Sequence, residues 1–169
     1  KVFSDKIRAL IYHGASMRRK YYYPWLCFNY RMTNIQAAIG LVQLKRIDQI
    51  LIKKREIASF YKKYLLSLVP RIILPPEARW AESVFWMYSI LVPAKEKVSR
   101  DFLMTQLKKA GIDSRPFFFP IHKYNRFQVN ENIPVAEYLA KTGINLPSSP
   151  NLGEDNIKYI CNTIISILG

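Results

Sequence analysis

The stretch 34–69 constrains the fold most, because it contains no proline and has a clear signal at each end. Thr33 and Gln36 stand at the spacing of a helix capping box, and Pro70 closes the stretch. Apolar residues recur at helical spacing on two faces: Ile35, Ala38, Ile39 and Val42 on one, and Leu41, Leu44, Ile47 and Leu51 on the other. The sequence predicts one long helix, straight or kinked, whose first half is buried in a large core or at a subunit interface.

Shorter patterns around this helix predict a mixture of helices and strands. A capped helix over 6–12 ends at His13-Gly14, and 15–30 has the character of a long basic and aromatic loop. After Pro75-Pro76, β-branched and aromatic runs alternate with helical patterns, which predicts a small α+β unit. The predicted elements are strands at 84–92, 112–119 and 144–146, and helices at 99–110, 134–141 and from 154 onward.

The charge is strongly unbalanced, with 26 Lys and Arg against 12 Asp and Glu, a formal net charge of +14. Such an excess attracts nucleic acid, anionic membranes or phosphorylated small molecules. We expect instead that an acidic segment outside this chain balances the charge, because Lys1-Val2-Phe3-Ser4 resembles neither an initiator nor a signal peptide. A hydrophobic content of 50% argues against disorder, and no apolar run approaches the ~20 residues of a membrane span.

Few residues suggest self-contained catalysis. Cys27 and Cys161 have no C-x-x-C spacing, so we expect two free thiols in a cytoplasmic protein, with a single disulfide as the alternative. The two histidines, His13 and His122, have no Cys or carboxylate at ligand spacing, and we expect no metal site. The sequence has no G-x-G-x-x-G, no Walker A motif and no G-x-S-x-G elbow.

Two short segments combine residue types that bind anions or polar ligands. In 28–34, Asn29 and Arg31 precede a helix start, and an amide, a guanidinium and unpaired helix N–H groups together suit a phosphate. In 114–122, a proline-fixed backbone carries an Arg, three Phe and a His. The ordinary alternatives are that Asn29 forms a turn, that Arg31 is a solvated charge and that 114–122 is an edge strand with a surface His.

Four segments carry a recognisable pattern: "FNYRMTNIQAAIGLVQL" (28–44), "KKREIASFYKKYL" (53–65), "RPFFFPIH" (115–122) and "INLPSSPNL" (144–152). Together they resemble the DegT-type sugar-nucleotide aminotransferases, which are pyridoxal-phosphate enzymes of fold type I. The resemblance implies an α/β protein overall, of which this chain is the C-terminal part. In that interpretation 1–69 is the end of the large domain plus the long linking helix, and 70–169 is a small C-terminal α+β domain.

The resemblance also implies an activity. Enzymes of this family transfer an amino group, from glutamate in our expectation, to a keto-sugar nucleotide. "SVFWMYSIL" (83–91) and "NIKYICNTI" (156–164) are similar to the branch that aminates GDP-4-keto-6-deoxymannose for surface polysaccharides such as O-antigen. The Schiff-base Lys would lie in the other half of the protein, so we expect no catalytic residue in this chain and no transamination by it alone. A dehydratase branch with His in place of that Lys is the alternative.

Site residues follow from the same resemblance. Asn29, helped by Arg31, would bind the phosphate of pyridoxal 5'-phosphate in the neighbouring subunit of a homodimer. Arg115, His122 and, more loosely, Tyr22 would bind the nucleotide sugar. Two other classes remain as alternatives: a non-catalytic interaction domain, and a basic nucleic-acid-binding domain suggested by the run 18–20 and the nearby tyrosines. We expect neither nucleic acid nor membrane as a partner.

Overall fold

Helix α1 (Val2–Ile11) and helix α2 (Asn34–Lys45) form the regular part of one compact unit, Lys1–Ile47, in the computed structural model. The second unit is Asp48–Gly169. The structure describes residues 2–16, 19–93, 98–124 and 132–169. The predicted basic run 18–20 therefore lies partly outside the described residues. The division into 1–69 and 70–169, which concerns the whole protein, stays a prediction.

Helix α1 begins earlier than predicted, at Val2, and ends one residue before Tyr12. His13 and Gly14 end it as expected, with φ values of 60° and 74°. Gly14 is needed here for two reasons, its positive φ and its contact with the chain at Trp25. A Cβ at position 14 would lie 2.4 Å from the Trp25 carbonyl oxygen.

The long helix is interrupted at Arg46, so that α2 is followed by helix α3 (Ile47–Leu65) and a 3₁₀ turn (Leu66–Leu68). At the break, the Arg46 N–H donates to the Gln43 carbonyl at 3.0 Å, which tightens the last turn of α2. No Pro or Gly lies at 46, so the sequence carries no signal for the break. The predicted capping box is present: Thr33 Oγ1 accepts from the Gln36 N–H, and Gln36 Oε1 accepts from the Thr33 N–H.

Three strands form one antiparallel sheet in the order β1-β3-β2. Strand β1 is Tyr88–Leu91, β2 is Arg115–Pro116 and β3 is Gly143–Leu146. Tyr88 pairs with Leu146, and Arg115 pairs with Asn145, so β3 lies between the other two. The alternation of strands and helices was predicted correctly, but the central position of the last strand was not predicted.

Two predicted strands were too long. The segment 84–87 does not join β1, since Phe85 has a φ of 43°, which is incompatible with strand backbone. Strand β2 covers only residues 115–116 of the predicted strand 112–119, and the Phe117 N–H makes one further bond to β3, to the Gly143 carbonyl at 3.2 Å. The strand is short because Pro116 has no N–H to donate and Pro120 follows closely.

The three remaining helices match the prediction closely. Helix α4 (Arg100–Lys109) begins at an N-cap, Ser99, whose hydroxyl accepts from the Phe102 N–H, and it ends next to Gly111 at a φ of 75°. Helix α5 is Pro134–Thr142, and a 3₁₀ turn at Ile121–Lys123 precedes it in the chain. Helix α6 is Glu154–Leu168. Among the described residues, no helix is long and apolar enough to cross a membrane.

The core of the second unit lies among the second half of α3, the sheet, α4 and α6. The Tyr61 ring stacks on the Tyr88 ring with centroids 4.7 Å apart, and the Tyr61 hydroxyl donates to the Pro147 carbonyl at 2.8 Å. The other large residues that are fully buried are aliphatic: Ile57, Leu65, Ile72, Ile90, Val92, Leu103, Leu107, Ile144, Ile157 and Ile164.

Candidate functional site

Asn29 and Arg31 form a small hydrogen-bonded unit at the end of the long loop. Asn29 Oδ1 accepts from the Arg31 backbone N–H at 3.1 Å and from Arg31 Nε at 3.4 Å. The Arg31 guanidinium also lies over the Tyr12 ring, 5.0 Å from its centroid. The bonds between the two residues use Asn29 Oδ1, the Arg31 backbone N–H and Arg31 Nε. They leave the two N–H donors on Asn29 Nδ2 and the two terminal nitrogens of the Arg31 guanidinium outside this contact.

Backbone pairing fixes this unit against the end of α1. Tyr12 and Asn29 form an antiparallel bridge, and the Tyr30 N–H donates to the Ile11 carbonyl at 3.3 Å. The Phe28 and Tyr30 rings make an edge-to-face contact with centroids 6.4 Å apart. Tyr12 was not predicted as a site residue, and only its place beside the predicted helix stop could have drawn attention to it.

The start of α2 follows Arg31 after two residues. The capping box occupies the Thr33 and Gln36 N–H groups, so an anion at this helix end would use the Asn34 and Ile35 amides, which have no intrahelical partner. The N-terminal partial charge of the helix favours an anion at the same place. Residues 29–35 therefore contain both side-chain donors, from Asn29 and Arg31, and backbone N–H donors at the positive end of a helix.

Tyr22 lies in the same loop as Asn29. Its carbonyl accepts from the Ser16 N–H at 2.8 Å, and the Arg19 guanidinium lies 5.3 Å from its ring centroid. About half of the Tyr22 side chain is exposed. Tyr22 and Arg19 together present an aromatic face and a positive charge to solvent.

Arg115 is almost entirely exposed in β2, next to the centre of the sheet. Its guanidinium makes a long ion pair with Asp113, at 3.9 Å. Behind it, Asn145 Nδ2 donates to the Pro116 carbonyl at 3.2 Å, and Asn145 Oδ1 accepts from the Ser89 hydroxyl at 2.6 Å. The polar pair of Ser89 and Asn145 thus links all three strands at the position of Arg115.

His122 is buried, with 7% of its surface exposed, whereas the ordinary interpretation of the sequence placed a surface His here. Its Nε2 lies 3.2 Å from Glu137 Oε1, and Lys123 Nζ lies 3.0 Å from the same oxygen. Hydrogen bonds from Lys123 and then from His122 lower the pKa of the Glu137 carboxyl. Sequence reasoning missed Glu137, because a carboxylate 15 positions from His122 gives no local pattern.

The predicted site residues therefore fall into separate groups. Asn29 and Arg31 contact each other in the first unit, and Tyr22 contacts Arg19 there. In the second unit, Arg115 pairs with Asp113 and His122 pairs with Glu137. Within the described ranges, no group of three or more His, Cys, Asp or Glu side chains could hold a metal ion.

Lys54 is held by backbone carbonyl groups. Its Nζ donates to the Trp86 carbonyl at 2.8 Å and also to the Ser148 carbonyl. Burial lowers the pKa of this ammonium. Because two carbonyl groups bind the charged form, Lys54 serves to join α3 to two loops.

The fold of the chain matches part of a solved protein that is described as a sugar aminotransferase. The putative sugar aminotransferase Spr1654 from Streptococcus pneumoniae, in its PLP form, superposes with a TM-score of 0.83 at 24% identity, covering 98% of this chain and 43% of that one. The model of the DegT/DnrJ/EryC1/StrS aminotransferase family matches residues 2–165. The chain belongs to this family, and the predicted resemblance is confirmed.

Within the family, the chain is similar to two curated relatives that share one name. GDP-perosamine synthase from Vibrio cholerae is 37% identical over 166 residues, 96% of this chain and 45% of that protein. GDP-perosamine synthase from Escherichia coli O157:H7 is 40% identical over 152 residues, 89% of this chain and 40% of that protein. The chain thus spans less than half the length of these relatives.

Proposed function

We propose that this protein transfers an amino group to the ketone of a sugar nucleotide. The observation that carries the proposal is the identity of 37% and 40% with two GDP-perosamine synthases over most of the chain. The acceptor would be GDP-4-keto-6-deoxymannose, and the amino donor would be glutamate. The product would be used to build a surface polysaccharide such as O-antigen.

The cofactor of the proposed reaction is pyridoxal 5'-phosphate, and the donors in the first unit suit its phosphate. Asn29 offers two amide N–H groups, and Arg31 offers a guanidinium edge held over Tyr12. The start of α2 adds backbone N–H groups and a favourable dipole. When bound, the cofactor would supply an electron sink and would carry the amino group from the donor to the acceptor. Asn29 and Arg31 would hold it in place and carry no proton in the reaction.

Each unit, taken by itself, carries groups that suit the nucleotide sugar. Arg115 presents a solvated guanidinium suited to a diphosphate, and Tyr22 presents a ring suited to packing against a base or sugar. We further propose His122 as part of the pocket wall, through the turn at 121–123.

We also propose a homodimer in which Asn29 acts in the site of the partner subunit. Helix α2 supports this, since Ile35, Ile39 and Leu44 on its two apolar stripes are all at least 60% exposed in the single chain. An apolar surface of this kind is typical of a protein interface.

The reaction can be tested with the full-length protein that contains these residues. Incubation with GDP-4-keto-6-deoxymannose and ¹⁵N-labelled glutamate should yield a ¹⁵N-labelled amino sugar nucleotide, detected by mass spectrometry. Recovery of unchanged keto sugar, or of a sugar that has lost the 3-hydroxyl, would overturn the proposal.

Mixed dimers test the placement of Asn29. A heterodimer of an Asn29→Ala subunit and a subunit without the Schiff-base Lys has both lesions in one site if Asn29 acts across the interface. About half the activity should then remain. If Asn29 acts within its own subunit, one site lacks the Lys and the other has the weakened cofactor affinity of Asn29→Ala. A heterodimer that needs as much added cofactor as the Asn29→Ala homodimer would refute the proposal.

A further inference from the structure

A cavity of about 550 Å³ lies on the second unit, between α3, the segment 74–85 and the first residue of β1. Its volume is within the range of cavities that hold small organic molecules. Buried Tyr88 lines its inner side, and exposed residues such as Lys62 and Glu77 line its opening. The proposed reaction uses no residue of this cavity.

The hydroxyl of Tyr88 is the feature of this cavity that points to a ligand. Only 2% of Tyr88 is exposed, and among the described residues its hydroxyl has no hydrogen-bond partner. A buried hydroxyl without a partner is unfavourable, and a ligand that accepts from it would remove this cost. Burial raises the pKa of this hydroxyl, so it stays protonated and can donate. Tyr61, whose ring stacks on Tyr88, differs in this respect, because its hydroxyl donates to the Pro147 carbonyl.

The outer wall of the cavity is attached to α3 by Arg55. The Arg55 guanidinium pairs with Glu82 at 2.8 Å, and Arg55 Nε donates to the Ser83 carbonyl at 3.3 Å. Glu77 Oε1 accepts from the Ser83 N–H at 2.8 Å, which joins the two ends of the segment 77–83. The wall is therefore held by contacts within the second unit, and no ligand is needed to form it.

Apolar side chains line the cavity between its inner side and its opening. Phe85 lies outside strand β1 at a φ of 43°, and its ring centroid is 6.2 Å from that of Tyr88. Leu74, Pro75 and Ala58 form the rest of this apolar lining. Aromatic rings pack well against other rings and against aliphatic side chains. This part of the cavity therefore suits an aromatic ring.

The charges around the cavity balance. Its charged lining consists of two cations and two carboxylates: Arg55, Lys62, Glu77 and Glu82. A charged ligand would lose hydration on entry and would meet a lining without net charge. An uncharged ligand does not have this cost, so the lining favours an uncharged molecule.

We propose that this cavity binds a small uncharged aromatic molecule whose oxygen atom accepts a hydrogen bond from the Tyr88 hydroxyl. The ring of the ligand packs between Phe85 and the aliphatic residues of the opposite wall. The inference is independent of the proposed reaction, because binding at this cavity can be measured without turnover.

The first test follows ¹³C-labelled alanine methyl groups of the full-length protein by NMR during titration with benzyl alcohol. The Ala58 methyl lies in the wall of the cavity, and the Ala9 methyl, buried in the first unit, is the control. The Ala58 signal should shift with saturation, and the Ala9 signal should not move. An unshifted Ala58 signal, or equal shifts of the two signals, would overturn the proposal.

Charged analogues of similar size test the class of the ligand. Benzoate is an anion at neutral pH, and benzylamine is a cation. Each should bind at least about fivefold more weakly than benzyl alcohol, because the cavity does not compensate the lost hydration of a charge. If either binds as tightly as benzyl alcohol, the ligand is not of the uncharged class and the proposal is wrong.

Tyr88→Phe isolates the hydrogen bond, with toluene as a probe that has no acceptor. The variant should weaken binding of benzyl alcohol about fivefold, the value of one hydrogen bond between uncharged groups, and leave binding of toluene unchanged. Tyr61→Phe is the matched control, since Tyr61 stacks on Tyr88 without lining the cavity, and it should change neither affinity. Equal changes for benzyl alcohol and toluene in Tyr88→Phe would overturn the role of the hydroxyl.

The melting temperatures of the same two variants, without added probe, test whether the Tyr88 hydroxyl is free. Tyr88→Phe removes a group without a partner, so it should leave the melting temperature unchanged or raise it. Tyr61→Phe should lower the melting temperature, because the Pro147 carbonyl loses its donor. Equal decreases in the two variants would show that the Tyr88 hydroxyl already has a partner, and the proposal would then fail.

Discussion

Helices α2 and α6 both have apolar residues at helical spacing, but these residues are exposed in α2 and buried in α6. In α6 a single stripe of five residues is buried: Ile157, Ile160, Cys161, Ile164 and Leu168. In α2 no residue is buried, and the residues of both stripes stay exposed. The width of the apolar surface separates the two cases, because a single stripe fits the core of its own unit and a wider surface does not.

The difference in burial between the two helices is large enough to matter for stability. Burying a large aliphatic side chain contributes ~1.5–3 kcal/mol to stability. The second unit has this contribution from the buried residues of α6, and the first unit does not have it from the exposed residues of α2. The first unit has one buried hydrophobic residue among its described residues, Ala9. The comparison therefore predicts that substitutions in the second unit act on folding, whereas those in the first unit act on assembly and binding.

The two cysteines, one in each unit, should give the largest contrast. Cys161 is fully buried, and burial raises the pKa of its thiol to about 12, whereas Cys27 is partly exposed. At pH 8, Cys27 should react with a disulfide reagent at least about a thousandfold faster than Cys161, which must wait for the unit to open.

Single-thiol variants assign the two phases. Cys27→Ser should abolish the fast phase and Cys161→Ser the slow one, and both thiols should react at once in denaturant. A fast reaction of Cys161 in the folded chain would show that the second unit is open. A chain without any titratable thiol before reduction would show the alternative disulfide.

A core truncation should give the next largest effect. Ile164→Ala removes a fully buried side chain from α6 and should lower the free energy of unfolding by ~2–5 kcal/mol. Leu44→Ala is the matched change in α2, where Leu44 is 66% exposed in the single chain, and it should cost less than ~0.5 kcal/mol in the same urea experiment on the monomeric chain. Similar losses would break the comparison between the units.

Asn29→Ala should have an intermediate effect, on binding rather than on folding. In the full-length protein it should weaken retention of pyridoxal 5'-phosphate by ~1.5–3 kcal/mol, the value of one hydrogen bond to a charged group. Dialysis followed by absorbance of the bound cofactor measures this. Asn162→Ala, an exposed Asn of α6, should leave retention unchanged, and an equal loss there would contradict the assignment.

Local signals predicted the helices well, and tertiary constraints limited the strands. Ser99 and Gly111 bracket α4, because a hydroxyl cap and a positive φ are properties of single residues. The break at Arg46 and the positive φ of Phe85 have no such local signal. In the site, the pair of Asn29 and Arg31 is close in sequence and could be predicted, whereas Glu137 meets His122 only through the fold.

The smallest predicted effect compares the two helix caps. Thr33 and Ser99 each accept a hydrogen bond from the third residue of their helix, Gln36 and Phe102 respectively. Loss of such a cap costs ~1 kcal/mol.

Because α4 packs into the core through Leu103 and Leu107, Ser99→Ala should lower the free energy of global unfolding by that amount. Helix α2 buries no side chain, so Thr33→Ala should leave global unfolding unchanged and instead speed hydrogen exchange of the α2 amides about fivefold. Equal shifts of global stability in the two variants would show that α2 folds together with the second unit, and the contrast between the units would then fail.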